Sequence, residues 1–300
     1  SSYAGADKDN YTITNQATTT ANITPKDLTI SGITASNKTY DNTNAATVSV
    51  TGVVKTGLVL NDVVDVAATG VFSDENAASG KTVTLTSTYT GADVNNYTIT
   101  SQASTTANIT PRTLSVYYTG VDKVYNGDSV ATVITTDDRV SGDVLSIART
   151  ASYADKNVGL NKTVSVSSVV LSGTDVNNYT LASTTGTTTA TITARPLTID
   201  FTGVNKVYDG LTTASVTTAT PVANGYVAGD VFSIKRTATF VNKNVGTANI
   251  NVTGVCLSGT DAANYSVSST GSASADITPQ TLSVALVGSI QKTYDGTTDA

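Results

Sequence analysis

The stretch Lys206-Val207-Tyr208-Asp209-Gly210 decides how the chain is organised, because the sequence repeats both this stretch and its surroundings. The other copies are Lys38-Thr39-Tyr40-Asp41-Asn42, Lys123-Val124-Tyr125-Asn126-Gly127 and Lys292-Thr293-Tyr294-Asp295-Gly296. Their tyrosines are 85, 83 and 86 residues apart. This period is too long for a solenoid coil and falls in the size range of an independent domain. We therefore expect separate domains in tandem.

Two further landmarks keep the same spacing and set the expected domain boundaries. An Asn-Tyr pair occurs at Asn10-Tyr11, Asn96-Tyr97, Asn178-Tyr179 and Asn264-Tyr265, and an Ile-Thr-Pro step begins at Ile23, Ile109 and Ile277. These landmarks predict repeat 1 at residues 26–111, repeat 2 at 112–195 and repeat 3 at 196–279. Residues 1–25 hold only the C-terminal part of a repeat and residues 280–300 only the N-terminal part, so we expect the 300 residues to belong to a longer chain.

The pattern within each repeat is that of short strands. Leu197-Thr198-Ile199-Asp200-Phe201 alternates apolar and polar residues, turn signals follow every 8 to 12 residues or so, and no long segment shows a helical apolar stripe. The sequence therefore predicts an all-β fold of tandem small β-sandwich domains of immunoglobulin-like size. A β-grasp-like unit is the alternative. We expect a Thr-rich hairpin near 179–193 to close repeat 2.

The Lys-x-Tyr motif and the junctions have specific expected structures. Asp-Gly, Asn-Gly and Asp-Asn pairs tolerate positive φ, so the motif should end a strand in a tight turn, with the tyrosine ring packed against the sheet. Only Pro111-Arg112-Thr113 separates the last strand of repeat 1 from the first of repeat 2. So short a linker predicts repeats held in a near-fixed relation, arranged as a rod.

Composition argues against several classes of function. The net charge is −6, charged residues make up 13% of the chain, and no Lys/Arg cluster is present, so nucleic acid is not an expected partner. No apolar run is long enough to cross a bilayer. Histidine is absent, and no Walker, Rossmann or nucleophile-elbow pattern occurs. We expect no enzyme activity, and no catalytic or cofactor-binding residues.

The cysteine Cys256 and two arginines, Arg149 and Arg236, each allow both a structural and a functional interpretation. Cys256 occupies the place of Val170 in repeat 2, which predicts a small buried core residue and makes a reactive thiol the weaker alternative. Arg236 and Arg149 fall on an otherwise apolar strand face. We expect each to pair with a carboxylate at a strand edge, with a ligand anchor as the alternative.

Calcium is a possible but disfavoured cofactor. Asp93-Val94-Asn95-Asn96 and Asp175-Val176-Asn177-Asn178 place side-chain oxygens at alternate positions, but the bidentate Glu of a calcium loop is missing and Ala263 replaces one oxygen in repeat 3. Asx-type turns explain these residues better. Intramolecular Lys–Asn isopeptide bonds from the motif lysines are a further alternative.

The motifs resemble those of a known family. Lys-Val-Tyr-Asp-Gly, Ala-Asp-Lys-Asn-Val-Gly, Leu-Ser-Gly-Thr-Asp-Val-Asn-Asn-Tyr and Ile-Thr-Pro together are similar to the YDG-type tandem repeats of large bacterial surface proteins, including filamentous-haemagglutinin-like adhesins. The resemblance covers the whole chain and brings no catalytic residues with it. It implies an extracellular or cell-surface structural repeat with a role in cell adhesion or biofilm formation. The motif residues that carry it are Lys38, Tyr40, Asp41, Lys123, Tyr125, Asn126, Gly127, Lys206, Tyr208, Asp209, Gly210, Lys292, Tyr294, Asp295, Gly296, Asn96, Tyr97, Asn178, Tyr179, Asn264 and Tyr265.

The expected function is therefore that of a stiff spacer, whose partners are neighbouring repeats. The alternative is a multivalent module that binds a host or matrix ligand, a glycan or a protein, through the motif tyrosines. Scarce charge on Thr- and Val-rich strands also allows other copies of the chain to associate through sheet edges or strand exchange, giving filaments.

Overall fold

The computed structural model describes residues 1–218, 225–285, 288 and 291–298. In these residues, helix is limited to short 3₁₀ turns at Lys8–Asn10, Val94–Asn96, Val176–Asn178 and Ala262–Asn264. Everything else is strand, turn or irregular chain. The all-β prediction is therefore confirmed.

The chain divides into two compact units, and the division runs through repeat 2. The first unit comprises Ser1–Val116, Asp137–Ile147 and Leu171–Ala182. The second comprises Tyr117–Thr136, Ala148–Val170 and Ser183–Ala300. Each unit therefore contains one junction between consecutive repeats.

Repeat 1 is a two-sheet domain within the first unit. Its strands are β1 (Lys26–Ser31), β2 (Thr34–Ala35), β3 (Lys38–Thr39), β4 (Ala45–Ala46), β5 (Val48–Ser49), β6 (Val54–Thr56), β7 (Asp65–Phe72), β8 (Ala78–Thr90), β9 (Tyr97–Thr100) and β10 (Ser104–Thr110). One sheet has the order β6-β1-β9 and the other β3-β10-β8-β7-β4, with β2 and β5 forming a small ladder. This two-sheet arrangement is that of a sandwich and not of the β-grasp alternative.

Two parallel pairings join the beginning of repeat 1 to its end. Strand β1 pairs in parallel with β9, so that Lys26 lies opposite Tyr97. Strand β3, which carries the motif lysine, pairs in parallel with β10, so that Lys38 lies opposite Ile109. The remaining pairings of the two sheets are antiparallel. The Lys-x-Tyr and Ile-Thr-Pro landmarks are therefore neighbours in space.

The core of the first unit extends across the junction between repeats. The side chains of Leu28, Phe72, Val83 and Ile109 are at most 2% exposed and pack together in repeat 1. Leu114, Leu145 and Tyr179 of repeat 2 belong to the same buried cluster. Because this cluster includes side chains from both repeats, separating them would expose apolar surface, at a cost of roughly 25 cal/mol per Å².

The part of repeat 2 in the first unit begins directly after repeat 1. Strand β11 (Arg112–Leu114) follows the end of β10 with only Pro111 between them, and it pairs in parallel with β17 (Tyr179–Leu181). The linker between the corresponding strands in the second unit is also one residue long. There β18 (Gly186–Thr193) is followed, after Ala194, by β19 (Arg195–Pro196), which pairs in parallel with β25 (Tyr265–Ser266).

The remaining strands repeat the scheme. They are β12 (Val116–Val121), β13 (Lys123–Val124), β14 (Thr132–Asp137), β15 (Ser146–Tyr153), β16 (Gly159–Ser172), β20 (Phe201–Val204), β21 (Lys206–Val207), β22 (Ser215–Thr218), β23 (Ser233–Phe240), β24 (Gly246–Ser258) and β26 (Thr270–Thr278). Sheets of order β13-β18-β16-β15 and β21-β26-β24-β23 match the larger sheet of repeat 1. In repeat 3 this sheet buries Phe240, Ile250, Val252 and Ile277.

The predicted Thr-rich hairpin near 179–193 is wrong. Strand β17 pairs with β11, whereas β18 pairs with β13 and β16, so the two neighbouring strands lie in different sheets. The chain crosses from one sheet to the other between them, because each strand finds a partner at the beginning of the repeat.

The prediction that Cys256 is a buried core residue is also wrong. Its side chain is exposed, and the neighbouring Val255 is buried at 4% exposure. The cause is a β-bulge in β24. Thr253 lies opposite Thr237 and Cys256 lies opposite Lys235, so three residue intervals on β24 match two on β23. The bulge includes Gly254, whose φ is +62°. The extra residue reverses the alternation of buried and exposed side chains from that point on.

The two strand arginines contact main-chain carbonyls. Arg236 donates to the carbonyl oxygens of Val216 at 2.7 Å and Ile234 at 3.4 Å. Arg149 donates to the carbonyl oxygen of Val133 at 2.6 Å. For Arg236, the predicted carboxylate partner is replaced by carbonyls of its own strand and of β22. The guanidinium therefore joins two strands that are not neighbours in one sheet.

Candidate functional site

The tyrosine of the Asn-Tyr pair makes the same two hydrogen bonds in each complete repeat. Tyr265 is 6% exposed; its hydroxyl donates to Asp230 Oδ2 at 2.6 Å and accepts from the N–H of Val227 at 2.8 Å. Tyr179 bonds Asp143 (2.6 Å) and Val140 (2.8 Å), and Tyr97 bonds Asp62 (2.5 Å) and Val59 (2.9 Å). These bonds fix the tyrosine against an aspartate turn of its own repeat.

The asparagine of the same pair reaches into the preceding repeat. Asn264 is 2% exposed; its Oδ1 accepts from the N–H of Val158 at 2.9 Å and its Nδ2 donates to Asn157 Oδ1 at 3.2 Å. At the other junction Asn178, also 2% exposed, makes the same contacts with Ala77 (2.8 Å) and Asn76 (3.1 Å). Asn96 of repeat 1 is exposed.

The tyrosine of the Lys-x-Tyr motif completes the contact between repeats. Tyr125 of repeat 2 is fully buried and packs edge-on against Tyr265 of repeat 3, with ring centroids 5.6 Å apart and an interplanar angle of 77°. Tyr40 and Tyr179 form the equivalent pair at 5.5 Å and 74°. Edge-to-face aromatic pairs of this geometry contribute about 0.5–1.5 kcal/mol beyond the area they bury.

A buried carboxylate lies at the centre of the junction between repeats 2 and 3. The side chain of Asp230 is 1% exposed and accepts hydrogen bonds from Tyr265, from Tyr125 (2.9 and 3.0 Å to its two oxygens) and from Lys156 Nζ at 2.9 Å. Lys156 Nζ also lies 3.3 Å from Asp261. Every oxygen of the buried charge is therefore matched by donors, as burial of an ion pair requires.

We call this set of contacts the clamp. Its tail residues are Tyr125, Lys156, Asn157 and Val158 of repeat 2, and its head residues are Asp230, Asp261, Asn264 and Tyr265 of repeat 3. At the other junction the corresponding tail residues are Tyr40, Glu75, Asn76 and Ala77, and the corresponding head residues are Asp143, Asp175, Asn178 and Tyr179. The position of Lys156 is thus occupied by Glu75, which reverses the charge.

Comparison with known families identifies the repeats. The YDG domain matches the chain three times, at residues 24–107, 110–188 and 193–273. The chain belongs to the YDG domain family. No curated protein matches it. Among solved structures, the I9–I11 tandem from titin matches at a TM-score of 0.20 and 11% identity, over 85% of this chain and 98% of the titin chain.

The lysine of each YDG domain stabilises the turn that follows it. Lys206 Nζ donates to Asp209 Oδ1 at 2.8 Å and to the carbonyl oxygens of Leu211 (2.8 Å) and Thr213 (3.0 Å), and it lies 5.6 Å from the ring centroid of Phe240. Lys38 makes the corresponding contacts with Asp41, Thr43, Ala45 and Phe72. Lys123 makes them with Asn126, Asp128, Val130 and Tyr153. Asn42 and the glycines Gly127 and Gly210 have the positive φ that the turn requires.

Burial and hydrogen bonding shift the pKa values of the clamp residues of the YDG domains. Burial, followed by the hydrogen bond to Asp230, raises the pKa of Tyr265 to about 12, and burial with the bond to Asp143 does the same for Tyr179. Burial alone would raise the pKa of Asp230, but hydrogen bonds from Tyr265, Lys156 and Tyr125 outweigh it and lower that pKa. The bond to Asp230 raises the pKa of Lys156. The protonated tyrosines and the ionised aspartate stabilise one another.

The aspartates of the possible calcium loops hold main-chain groups. Asp261 Oδ2 accepts from the N–H of Val231 at 2.9 Å, as do Asp175 from Val144 (2.8 Å) and Asp93 from Val63 (2.9 Å). The N–H groups that donate to these aspartates lie about thirty residues earlier along the chain and not in the local Asx turn that the sequence suggested. Within the part of the chain that the structure describes, no group of three acidic or sulfur ligands could hold a metal ion.

The motif residues outside the complete YDG domains are not brought into a clamp. Tyr294 is 93% exposed and Lys292 Nζ lies 2.9 Å from Asp295, next to Gly296 with φ of +79°. Tyr11 is 73% exposed. Tyr208 of repeat 3 is half-buried, in contrast to Tyr40 and Tyr125.

None of the described helices is long and apolar enough to span a membrane.

Sequence reasoning missed that two of its turn motifs meet across the junction. In the sequence, Gly229-Asp230 and Asp155-Lys156-Asn157 each indicate only a local turn. The available signal was their recurrence at one spacing in successive repeats. The contact between them could not be foreseen without knowing that the tail of one repeat packs on the head of the next.

Proposed function

We propose that this chain is a non-enzymatic spacer segment of a long bacterial surface adhesin or extracellular fibre, in which tandem YDG domains are held in a fixed relation by the clamp. The observation that carries the proposal is the recurrence of the clamp at both junctions with the same asparagine and tyrosine contacts. A repeated contact between successive domains is what a spacer needs, because a flexible string would not transmit position or force.

The linkers support the same function. A single residue, Pro111 or Ala194, separates the last strand of one repeat from the first strand of the next. Linkers this short allow little independent movement, and the clamp removes more of it. Interfaces between domains of one chain usually permit motion unless they are well packed, so buried polar contacts at both junctions favour a stiff arrangement.

The placement in a bacterial adhesin rests on the resemblance of the motifs. A low content of charge, with exposed strand positions filled by threonine and serine, suits a secreted structural protein. The extracellular or cell-surface location is part of the proposal and follows from the same resemblance.

The alternative of a multivalent ligand-binding module receives less support. It requires an exposed aromatic cluster in every repeat, and the motif tyrosines were the candidates. Tyr40, Tyr97, Tyr125, Tyr179 and Tyr265 are all at most 8% exposed, within the domain cores and junctions. Substituting Tyr179 would therefore disturb the junction first and could not report on ligand binding alone.

A distance measurement tests the spacer function directly. Spin labels are placed on exposed strand positions of neighbouring repeats, by Thr88→Cys and Thr180→Cys in a chain carrying Cys256→Ser. Pulsed electron paramagnetic resonance should give one narrow distance distribution. Adding Asn178→Ala should broaden it, whereas adding Asn96→Ala, the same motif position without a clamp, should not. A broad distribution in the chain with an intact clamp would contradict the proposal.

A further inference from the structure

The strand that carries the Lys-x-Tyr motif and the last strand of the same repeat lie side by side and run in the same direction. In repeat 1, Lys38 lies opposite Ile109 and Thr39 lies opposite Thr110. The pairs β13–β18 and β21–β26 repeat this parallel register, with the motif lysine opposite an isoleucine and the following residue opposite a threonine. We call each such pair, with the residues that flank it, a terminal ladder. The three terminal ladders comprise residues 37–40 with 108–110, 122–125 with 191–193, and 205–208 with 276–278.

Three further hydrogen bonds recur in every terminal ladder. In repeat 3, the N–H of Asp276 donates to Asn205 Oδ1 at 2.8 Å. The N–H of Tyr208 donates to the carbonyl oxygen of Thr278 at 2.8 Å, and the hydroxyl of Thr278 donates to the carbonyl oxygen of Lys206 at 3.4 Å. The same three bonds join Thr191 to Asp122, Tyr125 to Thr193 and Thr193 to Lys123 in repeat 2, at 2.6, 2.9 and 3.3 Å, and Asn108 to Asn37, Tyr40 to Thr110 and Thr110 to Lys38 in repeat 1, at 2.7, 2.9 and 3.3 Å. The Lys-x-Tyr and Ile-Thr landmarks are thus the two sides of one contact.

Both strands of a terminal ladder are anchored in their repeat. The isoleucine of the last strand, which is Ile109, Ile192 or Ile277, is at most 1% exposed. On the other strand, the motif lysine is bonded to the turn that follows it, as described for Lys206. Neither strand can therefore move along its own axis without breaking contacts with the rest of the repeat.

Tension along the chain pulls on the opposite ends of a terminal ladder. The pull from the N-terminal side reaches the motif strand at its first residue, and the pull from the C-terminal side leaves the last strand at its threonine. Because the two strands are parallel, these points lie at opposite ends of the ladder, so the strands must slide past each other. Sliding stretches all the bonds of the ladder at once, whereas pulling both strands from the same end breaks the bonds one after another.

We propose that the terminal ladder of each YDG domain is a tension-bearing contact, which resists extension of the chain because all its hydrogen bonds are stretched together. This inference deepens the proposed spacer function and rests on it for its purpose, since a spacer in a surface fibre transmits the pull on its two ends. The one-residue linkers Pro111 and Ala194 pass that pull from the last strand of one repeat to the first strand of the next. The ladder lies within a repeat, so its resistance does not depend on the clamp between repeats.

Pulling repeat 3 in two directions tests the geometry. In the full chain with Cys256→Ser, tags at both termini make the ladders slide. A handle at Leu211→Cys, on the exposed turn after the motif strand, paired with the C-terminal tag, peels the ladder of repeat 3 from one end. In magnetic tweezers at constant force, the first arrangement should give three steps of roughly 25 nm, because each repeat of 83–86 residues extends by roughly 3.3–3.6 Å per residue less its folded length. The second should release repeat 3 about tenfold faster or more at the same force, because the bonds break singly. Equal lifetimes in the two directions would overturn the proposal.

Substitutions within one ladder test which bonds resist the pull. Asn205→Ala combined with Thr278→Val removes two of the recurring bonds of repeat 3 and leaves repeats 1 and 2 as internal controls in the same molecule. With tension applied at the termini, one of the three steps should occur about tenfold earlier or more, and the other two should keep their wild-type lifetimes. Asp122→Ala combined with Thr193→Val should shift one step in the same way. Three unchanged lifetimes in either double variant would contradict the proposal.

Val252→Ala separates resistance to tension from ordinary stability. Val252 is 1% exposed in β24 and lies opposite Gly271, away from the ladder of repeat 3. Its truncation leaves a cavity, so the free energy of unfolding measured in urea should fall at least as far as in Asn205→Ala with Thr278→Val. We expect all three lifetimes under tension to stay close to those of the wild type. Lifetimes that follow the urea stabilities and not the ladder substitutions would overturn the proposal. None of these substitutions changes a clamp residue, so the spin-label distances report on the spacer function independently.

Discussion

The asparagine of the Asn-Tyr pair shows how context decides the role of one residue type. Asn264 and Asn178 are buried between repeats and use both ends of the amide, whereas Asn96 has the same sequence neighbours and is exposed. A buried donor or acceptor that loses its partner costs about 1–3 kcal/mol, and an exposed amide costs nothing comparable. The three positions therefore form a built-in comparison.

We predict that Asn264→Ala lowers the free energy of unfolding of the second unit by about 1–3 kcal/mol, because the N–H of Val158 and Asn157 Oδ1 lose their partners. Urea unfolding followed by circular dichroism measures the change. The matched control is Asn96→Ala, which should change stability by about 0.5 kcal/mol or less. Equal effects of the two substitutions would mean that the contact between repeats contributes nothing.

The motif lysine offers a second comparison at the residue scale. Lys206→Met keeps the aliphatic stem over Phe240 but removes the ammonium that bonds Asp209 and two carbonyls, and hydrogen bonds to charged groups contribute about 1.5–3 kcal/mol. We expect thermal unfolding of repeat 3 at a lower temperature. Lys243→Met, on an exposed lysine of the same repeat, is the control and should leave that temperature nearly unchanged. A control as damaging as the variant would contradict the structural role of Lys206.

At the scale of elements, the β-bulge in β24 reverses which side chains face the core. Gly254 has φ of +62°, and Ser168 takes φ of +54° at the corresponding place in β16. Val255 and Val169 then occupy the buried position that simple alternation would assign to Cys256 and Val170. A serine is thus compatible with this backbone, whereas a β-branched residue there is strained by about 1–3 kcal/mol.

We predict that Cys256 of the native chain reacts completely with an aromatic disulfide reagent, at a rate close to that of a free thiol. The reason is the exposure that the bulge produces, and absorbance of the released thiolate measures it. Gly254→Ser should leave the reaction and the unfolding temperature almost unchanged, whereas Gly254→Val should lower that temperature. Protection of Cys256 until the protein unfolds would rule out the bulge.

Strand periodicity, turn residues and the repeat spacing of 83 to 86 residues were enough to predict the fold class, but they failed at particular elements for physical reasons. The hairpin expected from Tyr179 to Thr193 is absent, because β17 and β18 find partners in different sheets and local alternation does not encode sheet membership. The bulge has no sequence signature, because it needs neither a proline nor a glycine: Ser168 takes the positive φ in repeat 2 where Gly254 takes it in repeat 3. The clamp depends on contacts between residues about one hundred positions apart, such as Ala77 and Asn178, which no local pattern contains.

For the molecule as a whole, pH should act on both units through their buried tyrosines. The pKa values of Tyr179 and Tyr265 are raised from 10 to about 12. A raised pKa means that the stability contributed by the protonated hydroxyl is fully present below pH 10 and is lost as pH rises towards 12. We predict late ionisation of these tyrosines in an ultraviolet titration, accompanied by loss of the clamp. Titration of every tyrosine near pH 10 with the fold intact would be inconsistent with the clamp geometry.

Acid should distinguish the two junctions. The lowered pKa of Asp230 means that its contribution is present above the ordinary value of 3.8 and is lost as pH falls below it. Lys156, which bonds Asp230, is replaced by Glu75 at the first junction. We predict that hydrogen exchange of the Val158 N–H accelerates below pH 4 relative to that of Ala77, after correction for intrinsic rates, and that Lys156→Gln removes the difference. Parallel loss of protection in the native chain would contradict this.

The exchange of Glu75 for Lys156 also bears on how nearly identical neighbours avoid mispairing while they fold. Tandem domains of similar sequence are prone to misassembly, because a newly folded head can find the wrong tail. The tail of repeat 1 would bring a carboxylate to Asp230 and Asp261 if it reached repeat 3, and like charges at that buried position are costly. The reversed charge thus favours the tail of repeat 2 over the tail of repeat 1 as the partner of repeat 3. Glu75 gives the tail of repeat 1 no matching preference, because the head of repeat 2 also carries two aspartates, so the selection acts at the second junction.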